Sequence, residues 1–171
     1  DFKLKNVDGK MVSLSDYPTA KGFIVVFTCN HCPFSKKYED RIIALDKKYK
    51  SKGYPVIAIN PNDPTESPED DFAGMQKRAK DKHFTFPYLV DGTQAIAAAY
   101  GAAHTPHVFV LQRGAAAGQT VKYIGAIDDN SDDAKAVKEK YVENAVDALL
   151  AGKPVNPDYT KAIGCTVKWK K

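Results

Sequence analysis

Three cysteines among 171 residues are too few, and an odd number, for a disulfide framework, so the fold must rest on an apolar core. No apolar run approaches the roughly 20 residues that span a bilayer, and a membrane-embedded helical chain is therefore not expected. Charge of one sign is also scarce. A net +4, with lysines interleaved among acids, makes no basic patch for nucleic acid, and Lys168, Lys170 and Lys171 read as a solvated tail. Internal repeats, low-complexity tracts and linkers are lacking too, so one domain over residues 1–171 is expected, with enough apolar residues for its own core. The chain starts at Asp1 rather than methionine. A preceding segment is expected to have been removed, by a signal peptidase or otherwise; an exported, periplasmic location is the expectation and a cytoplasmic one its alternative.

What the sequence does contain is Cys29-Asn30-His31-Cys32, a Cys-x-x-Cys that follows the apolar run from Gly22 to Thr28 and opens a helical pattern from Pro33 to about Lys52. A strand that delivers two thiols to a helix N-terminus suits dithiol–disulfide chemistry, because unpaired N–H groups and the positive dipole end stabilise a thiolate. A structural zinc site would need a second ligand pair at comparable spacing. The only other cysteine is Cys165, and His83, His104 and His107 are scattered. Haem attachment is excluded by Pro33 in place of histidine after Cys32. No cofactor is expected.

Alternating residues in Phe2–Lys5 and Met11–Leu14 around Asp8-Gly9 predict a β-hairpin. The run 23–28 predicts a strand buried on both faces, and Phe34, Tyr38, Ile42, Leu45 and Tyr49 make one helical stripe. Gly53 closes that helix, and Tyr54–Ile59 is a second buried strand, giving a right-handed βαβ unit. An irregular loop follows from Asn60 to Ser67. Ser67, Pro68 and Asp70 then mark the start of an inserted helix with Phe72, Met75 and Ala79 on its apolar face. Further on, the pattern predicts a short edge strand within Phe84–Val90, an alanine-rich helix over Thr93–Tyr100, and a strand His107–Gln112. A Gly-rich turn (Gly114 to Gly118), a partner strand Thr120–Ile124 and a helix over Asp132–Leu150 complete it.

This order, with a dithiol at the first helix and Thr105-Pro106 before the second pair of strands, resembles the thioredoxin fold. It implies an α/β, three-layer architecture with a mixed central sheet, an N-terminal β-hairpin and an inserted helix. The hairpin from Asp1 to Ser15, the Phe27–Phe34 segment, Gly125–Asn130 and Gly164–Trp169 resemble the peroxiredoxin-like redoxins of the alkyl hydroperoxide reductase/thiol-specific antioxidant superfamily. The resemblance implies a cis bond at Thr105-Pro106 beside the dithiol, with the Thr105 backbone open for strand-like pairing with a substrate peptide. It also has gaps. Peroxiredoxins carry Pro and Thr seven and three residues before the peroxidatic cysteine, where Gly22 and Val26 precede Cys29, and Val25 and Cys29 precede Cys32. The buried acid that thioredoxins carry six residues before the first cysteine is replaced by Phe23; Asp128 or Asp129 could substitute, or serve as loop and capping residues.

The expected activity is thiol–disulfide oxidoreduction with thiol- or disulfide-containing proteins or small thiols and a separate redox partner. Cys29 is the expected exposed nucleophile and Cys32, one turn into the helix, the resolving thiol of a Cys29–Cys32 disulfide. Asn30, His31, Thr105 and Pro106 are expected to tune the thiols or touch substrate. His31 resembles the histidine of the Cys-Pro-His-Cys oxidants and would make the couple more oxidising than the about −270 mV of thioredoxin. Cys165 has three readings: a buried structural thiol beside Trp169, a second resolving cysteine, or an intermolecular link. The alternatives are a copper chaperone using Cys29, Cys32, His104 and His107, a weak thiol-dependent peroxidase, and an inactive redoxin serving as a binding module.

Overall fold

The computed structural model describes residues 1–116 and 118–171. Strand β1 (Leu4–Asn6) pairs antiparallel with β2 (Met11–Val12), as the Asp8-Gly9 signal requires. Strand β3 (Gly22–Phe27), helix α1 (Pro33–Tyr49) and β4 (Val56–Asn60) then form the βαβ unit, β3 and β4 lying parallel with Ile24 opposite Val56. Gly53 ends the helical segment at φ +95°, a conformation open to glycine because it has no Cβ.

Helix α2 (Phe72–Asp81), β5 (Tyr88–Val90), α3 (Ala95–Tyr100), β6 (His104–Thr105), β7 (His107–Arg113) and β8 (Gln119–Gly125) follow, then α4 (Tyr141–Leu150) and β9 (Cys165–Thr166). The main sheet runs β2-β1-β5-β4-β3-β7-β8, with β3, β4 and β5 parallel and the other pairs antiparallel; β6 and β9 form a second, two-stranded ladder.

Alternation along β3 divides the core. Ile24 and Val26 face α1, α2 and α4, against Tyr38, Ile42, Tyr49, Met75, Val142 and Val146. Phe23, Val25 and Phe27 face the other side, with Leu14, Ala97 and Phe109. A sheet covered on both faces explains why β3 and β4 read as unbroken apolar runs, and each fully buried side chain of this size contributes roughly 1.5–3 kcal/mol.

Three expectations change. The strand near Val90 is interior, because β1 pairs with its outer side and moves the sheet edge to β2. Helix α2 is capped by Asp71, whose side chain accepts from the Gly74 N–H, while Pro68–Asp70 forms a separate 3-10 turn. The helix expected over Asp132–Leu150 begins only at Tyr141. Upstream, the Asp133 and Asp129 side chains accept from the Lys135 and Lys138 N–H groups, and this local capping competes with helix. The expected turn from Gly114 to Gly118 includes Ala117, which lies outside the described residues; the Gly114 N–H donates to the Gly118 carbonyl at 2.7 Å.

Candidate active site

The end of β3 delivers Cys29 and Asn30 to the carboxyl edge of the parallel strands, where the loop after β4 also emerges. Cys32 is the N-cap residue of α1, in extended backbone with Pro33 beginning the helix, rather than one turn inside it. Both sulfurs meet Thr105. Cys29 Sγ lies 3.3 Å from Thr105 Oγ1 and 3.6 Å from Ser35 Oγ, and Cys32 Sγ lies 3.4 Å from the Thr105 carbonyl oxygen. The Thr105-Pro106 bond is cis, as the resemblance implied, and both residues are buried.

The pairing of the thiols departs from expectation. Cys32 is bonded to Cys165, with their Cα atoms 6.2 Å apart, and Cys29 is free. Cys165 is therefore not a buried structural thiol beside Trp169; it is partly exposed, and Trp169 faces solvent. The link is intramolecular. The Thr105 backbone, expected to be open for a substrate, instead pairs with β9, Thr105 opposite Cys165 and His104 opposite Thr166. Sequence spacing could not show this, because 133 residues separate the bonded cysteines.

Cys29 is not exposed: 2% of its surface reaches solvent. Burial pushes its thiol up, and the Asp70 carboxylate pushes it further; the Thr105 and Ser35 hydroxyls and the Cys32 N–H pull the other way without prevailing. In this disulfide form the helix end does not yield the stabilised thiolate anticipated for Cys29.

Asp70 is the acid that sequence reasoning missed at this site. It sits in the 3-10 turn after β4, 2% exposed, where the sequence pattern signals only a helix start. Its Oδ1 accepts from the Asn30 N–H (2.7 Å) and Asn60 Nδ2 (3.0 Å), and its Oδ2 accepts from Asn62 Nδ2 (3.0 Å) and Ser67 Oγ (2.7 Å). His31 Nδ1 lies 2.6 Å from the same Oδ2. Burial alone would raise the Asp70 carboxyl, but the bonds from Asn62, Asn30, Ser67 and Asn60 outweigh it and hold the group below the usual carboxylate range. A signal existed: β3 and β4 are parallel neighbours, so the polar loop after one must meet the thiols at the end of the other.

Asn30 is turned inward rather than toward substrate. Its Nδ2 donates to the Glu69 carbonyl at 2.9 Å and its Oδ1 accepts from the Tyr88 hydroxyl at 2.7 Å. His31 is partly exposed and held by Asp70, with Ser67 Oγ 3.0 Å from the same ring nitrogen. Asp128 and Asp129 are loop residues: Asp128 accepts from Tyr38 and Arg41, and Asp129 from the Lys138 N–H.

The copper set is not assembled. Cys32 is spent in the disulfide, His107 Nδ1 accepts from the Ala103 N–H, and the group of metal-capable atoms found among the described residues is Cys29, His31 and Asp70, within 4.8 Å of one another. That group does not suit a cation either, because four donors already fill the Asp70 oxygens besides His31.

A Cys-x-x-Cys at the junction of a central parallel strand and a helix, against a Thr-Pro, defines a thioredoxin-like fold and site. The family model described as "AhpC/TSA family" matches residues 1–117, and the chain belongs to that family. It is similar to a solved protein of Geobacillus kaustophilus (38% identity, 99% of this chain and 88% of the other, TM-score 0.89) and to one of Sinorhizobium meliloti (33%, 99% and 91%, TM-score 0.89). The fold is shared with the exposed lipoprotein thioredoxin of Streptococcus pneumoniae (20%, 89% and 98%, TM-score 0.62). Among curated proteins it is similar to the thiol-disulfide oxidoreductase ResA of Geobacillus thermodenitrificans, 25% identical over 116 residues and 66% of this chain; the matched chain spans 60% of that relative's length. No helix among the described residues is long and apolar enough to cross a membrane.

Proposed function

We propose that this chain is a thiol–disulfide oxidoreductase acting on thiol or disulfide substrates, with Cys29 as nucleophile and Cys32 as the sulfur it exchanges with. The observation that carries this reading is the convergence of both sulfurs on Thr105, one of them already in a disulfide and the other a free thiol. A thiolate beside a disulfide exchanges through attack on sulfur, with no cofactor. The similarity to a relative named thiol-disulfide oxidoreductase agrees with it. Gly22 and Val26, where peroxiredoxins have Pro and Thr, favour disulfide exchange over peroxide reduction.

Insulin reduction driven by dithiothreitol tests the reading. Cys29→Ser and Cys32→Ser should each abolish turnover while leaving the fold intact by circular dichroism. Turnover that survives Cys29→Ser would remove the nucleophile assignment.

A further inference from the structure

We propose that Cys165 is a third redox residue, and that β9, which carries it, is a built-in occupant of the strand edge at Thr105. The inference rests on the disulfide-exchange reading and extends it to the class of thiol that opens the Cys32–Cys165 form, a small one rather than an extended peptide.

Strand β9 lies antiparallel to β6, with Cys165 opposite Thr105, and the Val167 N–H donates to the Ala103 carbonyl at 3.0 Å, so β9 occupies the strand edge that a peptide adding to β6 would use. Gly164 permits the approach: a Cβ there would fall 2.4 Å from the Thr105 carbonyl oxygen. Beyond Cys165 the chain is held again. The Lys168 N–H donates to Asn62 Oδ1 at 2.8 Å, and the Lys168 carbonyl accepts from the Asp63 N–H and Gln94 Nε2, both at 2.9 Å. With this edge filled and its occupant fastened, a substrate strand has no backbone to pair with at Thr105 while Cys32 and Cys165 stay joined. The three sulfurs differ in access as well. Cys29 and Cys32 are 2% and 0% exposed, whereas Cys165 is partly open to solvent. A thiol small enough to need no docking strand meets the disulfide at Cys165.

The chemistry balances without another reagent. A small thiolate RS⁻ attacks Cys165 Sγ; the Cys165–SR bond forms, the Cys32–Cys165 bond breaks, and Cys32 leaves as a thiolate that takes up the proton released by RSH. A second RS⁻ attacks Cys165–SR, giving RSSR and a Cys165 thiol, so two RSH are oxidised while one protein disulfide becomes two thiols. Within the protein, the Cys29 thiolate can instead attack Cys32. The Cys29–Cys32 bond forms, Cys165 departs as a thiolate, and the proton lost by Cys29 ends on Cys165. That step has no net oxidation and moves the disulfide between the outer and the inner pair.

Glutathione serves as the probe. Oxidised wild type is exposed to it briefly, quenched with acid, alkylated and peptide-mapped. The expected product carries glutathione on Cys165 and the alkyl group on Cys32; glutathione on Cys32 or Cys29 overturns the proposal. Oxidised Cys165→Ser, checked for folding by circular dichroism, should hold a Cys29–Cys32 disulfide and react with glutathione about tenfold more slowly or less. An unchanged rate overturns the proposal. Gly164→Ala retains all three cysteines and should shift the peptide map of oxidised protein from Cys32–Cys165 toward Cys29–Cys32; an unshifted map counts against β9 as the occupant. A wild type that reduces insulin through Cys29 yet forms no Cys165 adduct removes only the role of Cys165, whereas insulin reduction surviving Cys29→Ser removes the exchange reading itself.

Discussion

The Asp70 carboxylate lies within 4.8 Å of the Cys29 sulfur, buried with it, and raises the free energy of the thiolate that the chemistry needs. Asp70→Asn should therefore lower the Cys29 thiol pKa, and Thr105→Val, which removes a hydroxyl 3.3 Å from the sulfur, should raise it. In the Cys32–Cys165 form Cys29 is the one free thiol, so the pH dependence of its alkylation rate, followed by peptide mapping, reports it alone. In wild type the exchange rate should keep rising as pH climbs past the ordinary thiol value of 9.0. The linkage has the opposite sign for stability: a raised folded pKa gives stability that is complete below the unfolded value and is lost as pH rises through the folded one. A Cys29 titration unmoved by Asp70→Asn would show that the carboxylate does not act on the thiol.

Helix α2, which follows the turn bearing Asp70, is tied to α1 by Arg78, whose Nε donates to Glu39 Oε2 at 2.6 Å and whose Nη2 donates to Glu39 Oε1. Glu39 is buried on α1. Arg78→Met leaves that carboxylate uncompensated and should cost about 3 kcal/mol in urea unfolding. Arg78→Met combined with Glu39→Leu should recover most of the loss. Equal losses in the single and double variants would mean that the pair's charge is not what matters.

His107 begins β7 directly after Pro106 and is 7% exposed. Burial, aided by His104, pulls its pKa down to about 4 from the usual 6.5. The unfolded chain therefore binds the proton first. Stability is full above pH 6.5 and is lost as pH falls toward 4, by at most about 3 kcal/mol at roughly 1.4 kcal/mol per unit. His107→Asn, whose side-chain oxygen can still accept from the Ala103 N–H, should flatten that part of the urea-stability profile. A profile with the wild-type slope would remove His107 as its source.

Much of this architecture is legible in the sequence because it is periodic. Phe23 to Phe27 advertise a strand covered on both faces, and Tyr38, Ile42, Leu45 and Tyr49 a helix laid on one of them. The dithiol and the Thr105-Pro106 beside it were legible through local motifs. What escaped lies at long range or in polar loops. Asp70 looks like any acid near a helix start until Asn60, Asn62 and Ser67 are seen to close around it. Asp132 to Lys140 carries helical spacing, but its aspartates satisfy backbone donors locally and the helix waits for Tyr141.

The Cys32–Cys165 bond also closes a covalent loop across 133 residues, from the start of α1 almost to the end of the chain. In the chain-entropy view, closing a loop of that length restricts the unfolded ensemble by roughly 5 kcal/mol at 25 °C. An electron pair delivered to this site would therefore loosen the whole chain as well as change its chemistry. Resistance to proteases would become a readout of which thiols are joined.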